Sequence, residues 1–138
     1  GNAGLGAGAH IAAMKDDDAF VRQEAARGLG QIGDARAKDV LKGALSDTAK
    51  GVVLNAATAL SRLGDSSGLK AAGAMLKDKD AQTRQQASAV LADVGDMDSL
   101  EALNIAVEAE KDSPTKQSLE FSRQRLKIRL EQQKATRK

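Results

Sequence analysis

The fold is decided by a six-residue stretch, Leu29-Gly30-Gln31-Ile32-Gly33-Asp34, which returns 31 residues later as Leu60-Ser61-Arg62-Leu63-Gly64-Asp65. Its last two residues appear once more, after the same interval, as Gly95-Asp96. Other positions keep this period, among them Ala25, Ala56 and Ala87; Leu29, Leu60 and Leu91; and the acids Asp16, Asp47 and Asp78. A fixed period of this length indicates a repeat protein in which each repeat is one small supersecondary element.

Each repeat has the pattern of two amphipathic helices, because its apolar residues recur at helical spacing. In the second repeat these helices are predicted over residues 35–46 and 50–63. Their apolar residues are Val40, Leu41, Ala44, Leu45, Val52, Ala56, Leu60 and Leu63. One such hairpin cannot bury its apolar face alone, so we expect neighbouring repeats to stack.

The turns carry residues that suit helix ends. Asp18 and Asp80 precede the second helices of their repeats, where a carboxylate accepts the unpaired N–H groups of a helix start. Ala49 holds this position in the second repeat, so Thr48 is the predicted cap there. A glycine with positive φ commonly ends a helix. We predict this conformation for Gly33, Gly64 and Gly95.

The repeat resembles the HEAT-like repeats of the phycobilisome-lyase type, whose short units end in a Leu-Gly-x-Ile/Leu-Gly-Asp pattern. The Asp-x-x-Val-Arg opening of that family's second helix stands here as Asp18-Ala19-Phe20-Val21-Arg22 and, altered, as Asp80-Ala81-Gln82-Thr83-Arg84. The second repeat departs from it, with Val53 at the arginine position. The resemblance covers roughly residues 10–110. It implies an all-α fold, a short right-handed α-solenoid of about four HEAT-like helical hairpins, but says little about function.

We predict a single domain over residues 1–138, with repeats at about 1–33, 34–64, 65–95 and 96–134 and a disordered tail at 135–138. Four glycines among the first eight residues each disfavour a helix by about 1 kcal/mol, so the first helix is expected to be frayed or partial. At the other end Ser113 is the predicted cap and Pro114 the first residue of a helix that runs to about residue 134.

The composition argues against catalysis. The chain has no cysteine and one histidine, His10, so it lacks thiolate chemistry and a multi-histidine metal site. Asp16-Asp17-Asp18 lacks the glycine and later glutamate of a calcium loop, and its first and last acids recur in register as Asp78 and Asp80. We interpret these acids as turn and cap residues. We therefore predict no enzyme activity and no metal or cofactor, a bilin pigment included, since only two aromatic residues exist to stack on one.

The sequence is compatible with two locations, the cytoplasm and the exterior of the cell. No apolar run approaches the roughly 20 residues that span a bilayer, so no membrane span is predicted. Residues 1–9 are small or apolar except for Asn2, which fits the region just past a signal-peptide cleavage site or a chain cut for another reason. We favour the cytoplasm and keep export as the alternative.

A candidate binding strip follows from the second helices, which are expected to line the concave face of the solenoid. Its predicted residues are Leu54, Thr58, Ala89, Phe121 and Ile128. Phe121 and Ile128 lie seven residues apart, on the side of the last helix opposite its main apolar stripe. This second stripe predicts a groove ligand, a further repeat or a dimer mate. The competing interpretation is that Leu54 and Phe121 fill gaps between imperfect repeats.

The basic character belongs to the end of the chain. Residues 116–138 carry 8 basic and 2 acidic residues, whereas residues 1–115 carry 13 and 17. Four of these cations, Arg123, Lys127, Arg129 and Lys134, define an alternative basic surface for nucleic acid or another acidic polymer. The favoured function is a noncatalytic protein–protein interaction scaffold, with the acidic-polymer binder second. An accessory subunit of a lyase-like enzyme is third.

Overall fold

The computed structural model describes residues 3–137, with side chains from residue 6 onward, and helices are the only regular secondary structure in that range. The α-helices are α1 (Ala3–Ala13), α2 (Ala19–Ile32), α3 (Lys38–Ala44), α4 (Lys50–Arg62), α5 (Ser67–Ala74), α6 (Ala81–Val94), α7 (Met97–Ala109) and α8 (Ser113–Thr136). Short 3-10 turns adjoin α3 and α5, at Ala35–Ala37 and Met75–Lys77. Each predicted repeat therefore contributes two helices, and the predicted all-α class of HEAT-like helical hairpins is confirmed.

The chain divides into two compact units, the first ending at Ala71 and the second beginning at Ala72, within α5. In the first unit, α2 packs against α1 and α4, and α3 packs against α4. The core is formed by Met14, Ala25, Ala26, Leu29, Ala37, Leu41, Ala44, Val52, Ala56, Ala59 and Leu60. Small side chains bring the helices close together. A Cβ added to Gly30 in α2 would lie 3.1 Å from the Cα of Ala59 in α4.

In the second unit, α8 packs against α6 and α7. Leu91 of α6, Leu103 of α7 and two leucines of α8, Leu119 and Leu126, have no exposed surface. Fully burying a leucine contributes roughly 1.5–3 kcal/mol relative to leaving it exposed, so these four side chains account for much of the apolar stabilisation.

The helix starts follow the predicted capping in two of three repeats. The Asp18 carboxylate accepts the Phe20 N–H at 2.9 Å, and Asp80 caps α6 in the same way. The Thr48 prediction is wrong, because the cap position of α4 is Ala49 and no side chain caps it. Asp47 instead accepts the N–H of Ala49 itself, at 2.8 Å, and so orders the turn one residue before the helix.

The helix ends follow the predicted glycine geometry at two positions, with φ of 75° at Gly33 and 83° at Gly64. Gly95 differs, because its φ is −72°. Only Gly95 and Asp96 separate α6 from α7, and Asp96 already caps α7 by accepting the Ser99 N–H at 3.0 Å. A Cβ at Gly95 would lie 2.7 Å from the Cβ of Ser99. Glycine is required there by close approach and not by a left-handed backbone.

Both chain ends contain more helix than expected. The chain forms α1 over Ala3–Ala13 despite its glycines, and Ala7 is fully buried, while Gly1 and Asn2 lie outside the described residues. Asp112, not Ser113, caps α8 by accepting the Thr115 N–H at 3.2 Å. The helix then continues to Thr136, into the tail predicted as disordered from residue 135, because glutamine, lysine and alanine favour helix. Lys138 lies outside the described residues.

One glycine substitution tests the close packing of the first unit. A Cβ at Gly68 in α5 would lie 2.6 Å from the Cα of Ala57 and 2.8 Å from its carbonyl oxygen. Backbone atoms yield less than a flexible side chain, so Gly68→Ala is expected to lower the free energy of unfolding by about 1–3 kcal/mol. Urea denaturation followed by circular dichroism measures this change.

The matched control is Gly43→Ala in α3, where an added Cβ meets nothing within 4 Å. Alanine favours helix over glycine by up to about 1 kcal/mol, so this variant should be slightly more stable than the wild type. Equal stabilisation by both substitutions would contradict the packing described for Gly68.

Candidate functional site

An arginine fastens the turn that precedes α2 to the turn that precedes α4. The Arg22 guanidinium donates to the two carboxylate oxygens of Asp47, at 2.8 and 3.0 Å, from Nε and a terminal nitrogen. Its other terminal nitrogen donates to the carbonyl oxygens of Asp16 and Asp17. Hydrogen bonding to Arg22 lowers the pKa of the Asp47 carboxyl below its ordinary value. Bidentate pairs of this kind are stronger and more directional than single hydrogen bonds.

The same clamp occurs in the second compact unit. Arg84 of α6 donates to the two carboxylate oxygens of Glu110, at 2.7 and 2.9 Å, and to the carbonyl oxygens of Asp78 and Lys79. The Glu110 side chain is only 5% exposed, and hydrogen bonding to Arg84 lowers its pKa from the ordinary value of 4.5. The corresponding position in the second repeat is Val53. In both units the arginine joins two turns.

The described residues contain no group of three or more His, Cys, Asp or Glu side chains placed to hold a metal ion. The His10 imidazole lies against the carbonyl oxygen of Gly6, one turn earlier in α1, and a Nδ1–H would donate to it. None of the helices between residues 3 and 137 is long and apolar enough to cross a membrane.

A groove of about 600 Å³ lies in the second unit, lined by the end of α5, its adjoining 3-10 turn and α7. Its apolar wall on α7 consists of Ala102, Ala106, Ala109 and Ile105, of which Ile105 is 55% exposed. The Arg84–Glu110 pair also lines it. Sequence reasoning missed this groove. The clue was a second apolar side on α7, distinct from the buried side that carries Leu103 and Val107.

The predicted binding strip is only partly at the surface. Leu54 is 4% exposed, so its side chain is not available to a partner. Thr58 is half-buried, and its hydroxyl donates to the Leu54 carbonyl oxygen at 3.0 Å. Ala89 is exposed, Phe121 is 67% exposed and Ile128 is 43% exposed. Helical periodicity told which side of α4 Leu54 occupies, but it did not tell whether that side is covered. The three accessible residues all belong to the second unit.

One side of α8, here called its inner side, packs against α6 and α7 through apolar and hydroxyl side chains. Leu119 and Leu126 are fully buried there, as the apolar stripe predicted. The hydroxyls of Ser122 in α8 and Ser88 in α6 lie 2.9 Å apart, both on buried residues. The inner side is therefore fixed by specific contacts, and the opposite side of the helix is left for other uses.

That opposite side, here called the α8 outer face, comprises Phe121, Gln124, Arg125 and Ile128. All four side chains are exposed. The guanidinium carbon of Arg125 lies 6.0 Å from the centroid of the Phe121 ring, within cation–π range. Arg125 also pairs with Asp93 of α6. A shallow hollow of about 330 Å³ adjoins Arg125 and Ile128. The outer face thus presents two apolar anchors beside an exposed cation that pairs with Asp93.

One of the four cations of the predicted basic surface, Arg129, has a structural role. Arg129 donates to the carbonyl oxygens of Ala92 and Gly95, at 3.2 and 2.7 Å, and so satisfies the carboxyl end of α6. Arg123 is half-buried, while Lys127 and Lys134 are exposed. The four cations therefore do not form one free phosphate-binding row.

The sequence comparison agrees with this architecture. Residues 9–61 match the family model for HEAT repeats, a segment that includes α2, α3 and most of α4. The match supports a HEAT-like repeat protein and does not distinguish the phycobilisome-lyase type from other HEAT repeats. A search of curated proteins finds no match to the chain.

The Arg84–Glu110 clamp predicts how stability depends on pH. Because the Glu110 pKa is lowered in the folded state, its contribution to stability is complete above the ordinary value of 4.5. The contribution is lost as the pH falls through the lowered pKa. Glu110→Gln is therefore expected to be less stable than the wild type at neutral pH, by an amount that shrinks in acid.

Urea denaturation of both proteins between about pH 7 and pH 3 measures this difference. Glu108→Gln, at an exposed position near the end of α7 and two residues before Glu110, is the matched control and is expected to show no such change with pH. A stability difference for Glu110→Gln that does not change with pH would contradict the role given to the ion pair.

Proposed function

We propose that the protein is a noncatalytic protein-interaction module that binds a partner helix along the α8 outer face. The observation that carries the proposal is the exposure of Phe121 and Ile128 on the side of α8 opposite the buried Leu119 and Leu126. Apolar residues seven apart on one helix face are the usual anchors of helix-in-groove and helix–helix recognition. Of the predicted strip, only Phe121 and Ile128 belong to the α8 outer face. Ala89 is exposed but lies in α6, Thr58 is half-buried and Leu54 is buried.

Two further observations favour protein over other ligands. HEAT-like arrays stack short hairpins into extended surfaces and use these surfaces for binding. Aromatic side chains dominate protein interfaces because they bury a large area at low conformational cost. Phe121 has this character, and the Arg125–Asp93 pair beside it supplies a polar rim. An accessory role in a lyase-like enzyme is one form of this function, in which the partner carries the chemistry.

Nucleic-acid binding is less well supported by the geometry. Phosphate recognition uses several free cations in a row, and its affinity falls steeply with salt. On α8 the Arg129 side chain is occupied by backbone carbonyls and Arg125 by Asp93. The apolar anchors of the outer face respond little to ionic strength, so salt dependence separates the two functions.

Photo-crosslinking tests the proposed surface directly. A benzoylphenylalanine placed at Gln124, between the two anchors, is irradiated in a cell extract, and the products are identified by mass spectrometry. A protein adduct is expected, and its yield should fall at least about tenfold in Phe121→Asp/Ile128→Asp, because a buried carboxylate without a partner opposes binding.

The control for this substitution is Phe20→Asp, which changes an equally exposed phenylalanine in the first unit, 66% against 67%. It should leave the adduct unchanged. Absence of any protein adduct would overturn the proposal, and an adduct removed by nuclease or by moderate salt would favour the nucleic-acid alternative.

A further inference from the structure

We infer that the partner of the α8 outer face is the same face of a second copy of this chain, with the two α8 helices antiparallel. The inference rests on the proposed function and specifies the occupant of that surface. It follows from the length of α8, the spacing of its exposed apolar residues and the order of its exposed charges.

The length of α8 leaves much of it accessible to another helix. It has 24 residues, about 36 Å, whereas α6 has 14 and α7 has 13. Every residue from Glu131 to Arg137 is exposed, so the last two turns extend past the elements that cover the inner side. A long helix with one open side can meet a partner along several turns.

The exposed apolar residues keep a seven-residue spacing. Phe121 is followed by Ile128 and then by Ala135, all exposed, with Gln124 between the first two and Glu131 between the last two. A repeat of seven keeps these residues on one seam when two helices wind around each other with a slight supercoil. The polar Gln124 and Glu131 in the seam weaken the contact and restrict its register. This pattern fits a reversible helix pair.

The charges beside the seam are self-complementary in one orientation. Glu120 and Lys127 lie on the same flank of α8, seven residues apart, and both are exposed. An antiparallel pair with Gln124 near the twofold axis brings Glu120 of one copy beside Lys127 of the other, and each such contact occurs twice. A parallel pair brings Glu120 toward Arg125, which is already engaged by Asp93 and Phe121.

Acidic side chains interrupt the basic surface of α8 where the second copy would lie. Glu120 on the flank and Glu131 in the seam stand among the cations of a segment that carries 8 basic and 2 acidic residues. Arg125 comes near the twofold axis, where it would meet its own symmetry mate. Each of these arginines has the Asp93 carboxylate of its own copy beside it. The outer face therefore suits a copy of itself better than a uniformly charged surface.

Sedimentation of the purified chain tests the inference. The mass is expected to rise with concentration from the 14.4 kDa of one chain to twice that value. Phe121→Asp should remain monomeric where the wild type is dimeric, and Phe20→Asp should dimerise like the wild type. A chain that stays monomeric up to millimolar concentration, or a dimer unaffected by Phe121→Asp, would overturn the inference.

Charge reversal tests the orientation. Glu120→Lys and Lys127→Glu should each weaken the dimer severalfold, because like charges then meet across the axis. Mixing the two single variants should restore association, since one chain then carries lysine at both positions and the other carries glutamate at both. Association that both reversals leave unchanged would exclude the antiparallel arrangement. Circular dichroism of each variant confirms that the exposed substitutions leave the helices formed.

The crosslinker at Gln124 separates this inference from the proposed function. An adduct of twice the chain mass supports both. An adduct with a different protein and none between copies overturns the second-copy inference and keeps the proposed function. No adduct overturns both.

Discussion

The constraint behind this structure is a core built without aromatic side chains. Both phenylalanines of the chain are about two-thirds exposed, so leucine, valine and alanine must fill the interior. Helices packed through alanine and glycine approach closely, as Gly30 and Ala59 show, and a close-packed interior leaves no room for an added methyl group. Alanine buries less apolar area than leucine, so each buried leucine stabilises the fold more than a buried alanine does.

The turns are ordered by repeated polar contacts. Asp18 and Asp80 cap the second helices of their repeats, while Arg22 and Arg84 each join a turn of one repeat to an acid in the next. These contacts engage acids that recur in register and would otherwise suggest a site. The acidic cluster at residues 16–18, for example, gives its first two carbonyls to Arg22 and its last carboxylate to a helix start. The repeated acids are therefore structural.

The repeat period was sufficient to predict the helices and the helix-capping role of Asp18 and Asp80, because these are properties of local sequence. What it did not predict depends on neighbours distant along the chain. Leu54 has the spacing of a surface residue but is buried. Gly95 recurs in register with Gly33 and Gly64, but glycine is needed there because Ser99 lies close to it. The sequence predicted Arg129 to be a free surface cation, whereas in the fold it donates to the carbonyl oxygen of Gly95 at the carboxyl end of α6. Periodicity assigns a side of a helix and does not say what covers that side.

The α8 outer face differs from the other exposed apolar residues because two large apolar side chains, Phe121 and Ile128, lie seven residues apart on it. Phe20 is as exposed as Phe121, yet it stands at the start of α2, without a second large exposed apolar residue seven positions away. Phe121 lies beside Arg125, which is held by Asp93, and in line with Ile128. Two apolar anchors in line can pack against one partner helix, which favours association through this face. A gap-filling phenylalanine would instead be covered within its own chain, and Phe121 is not.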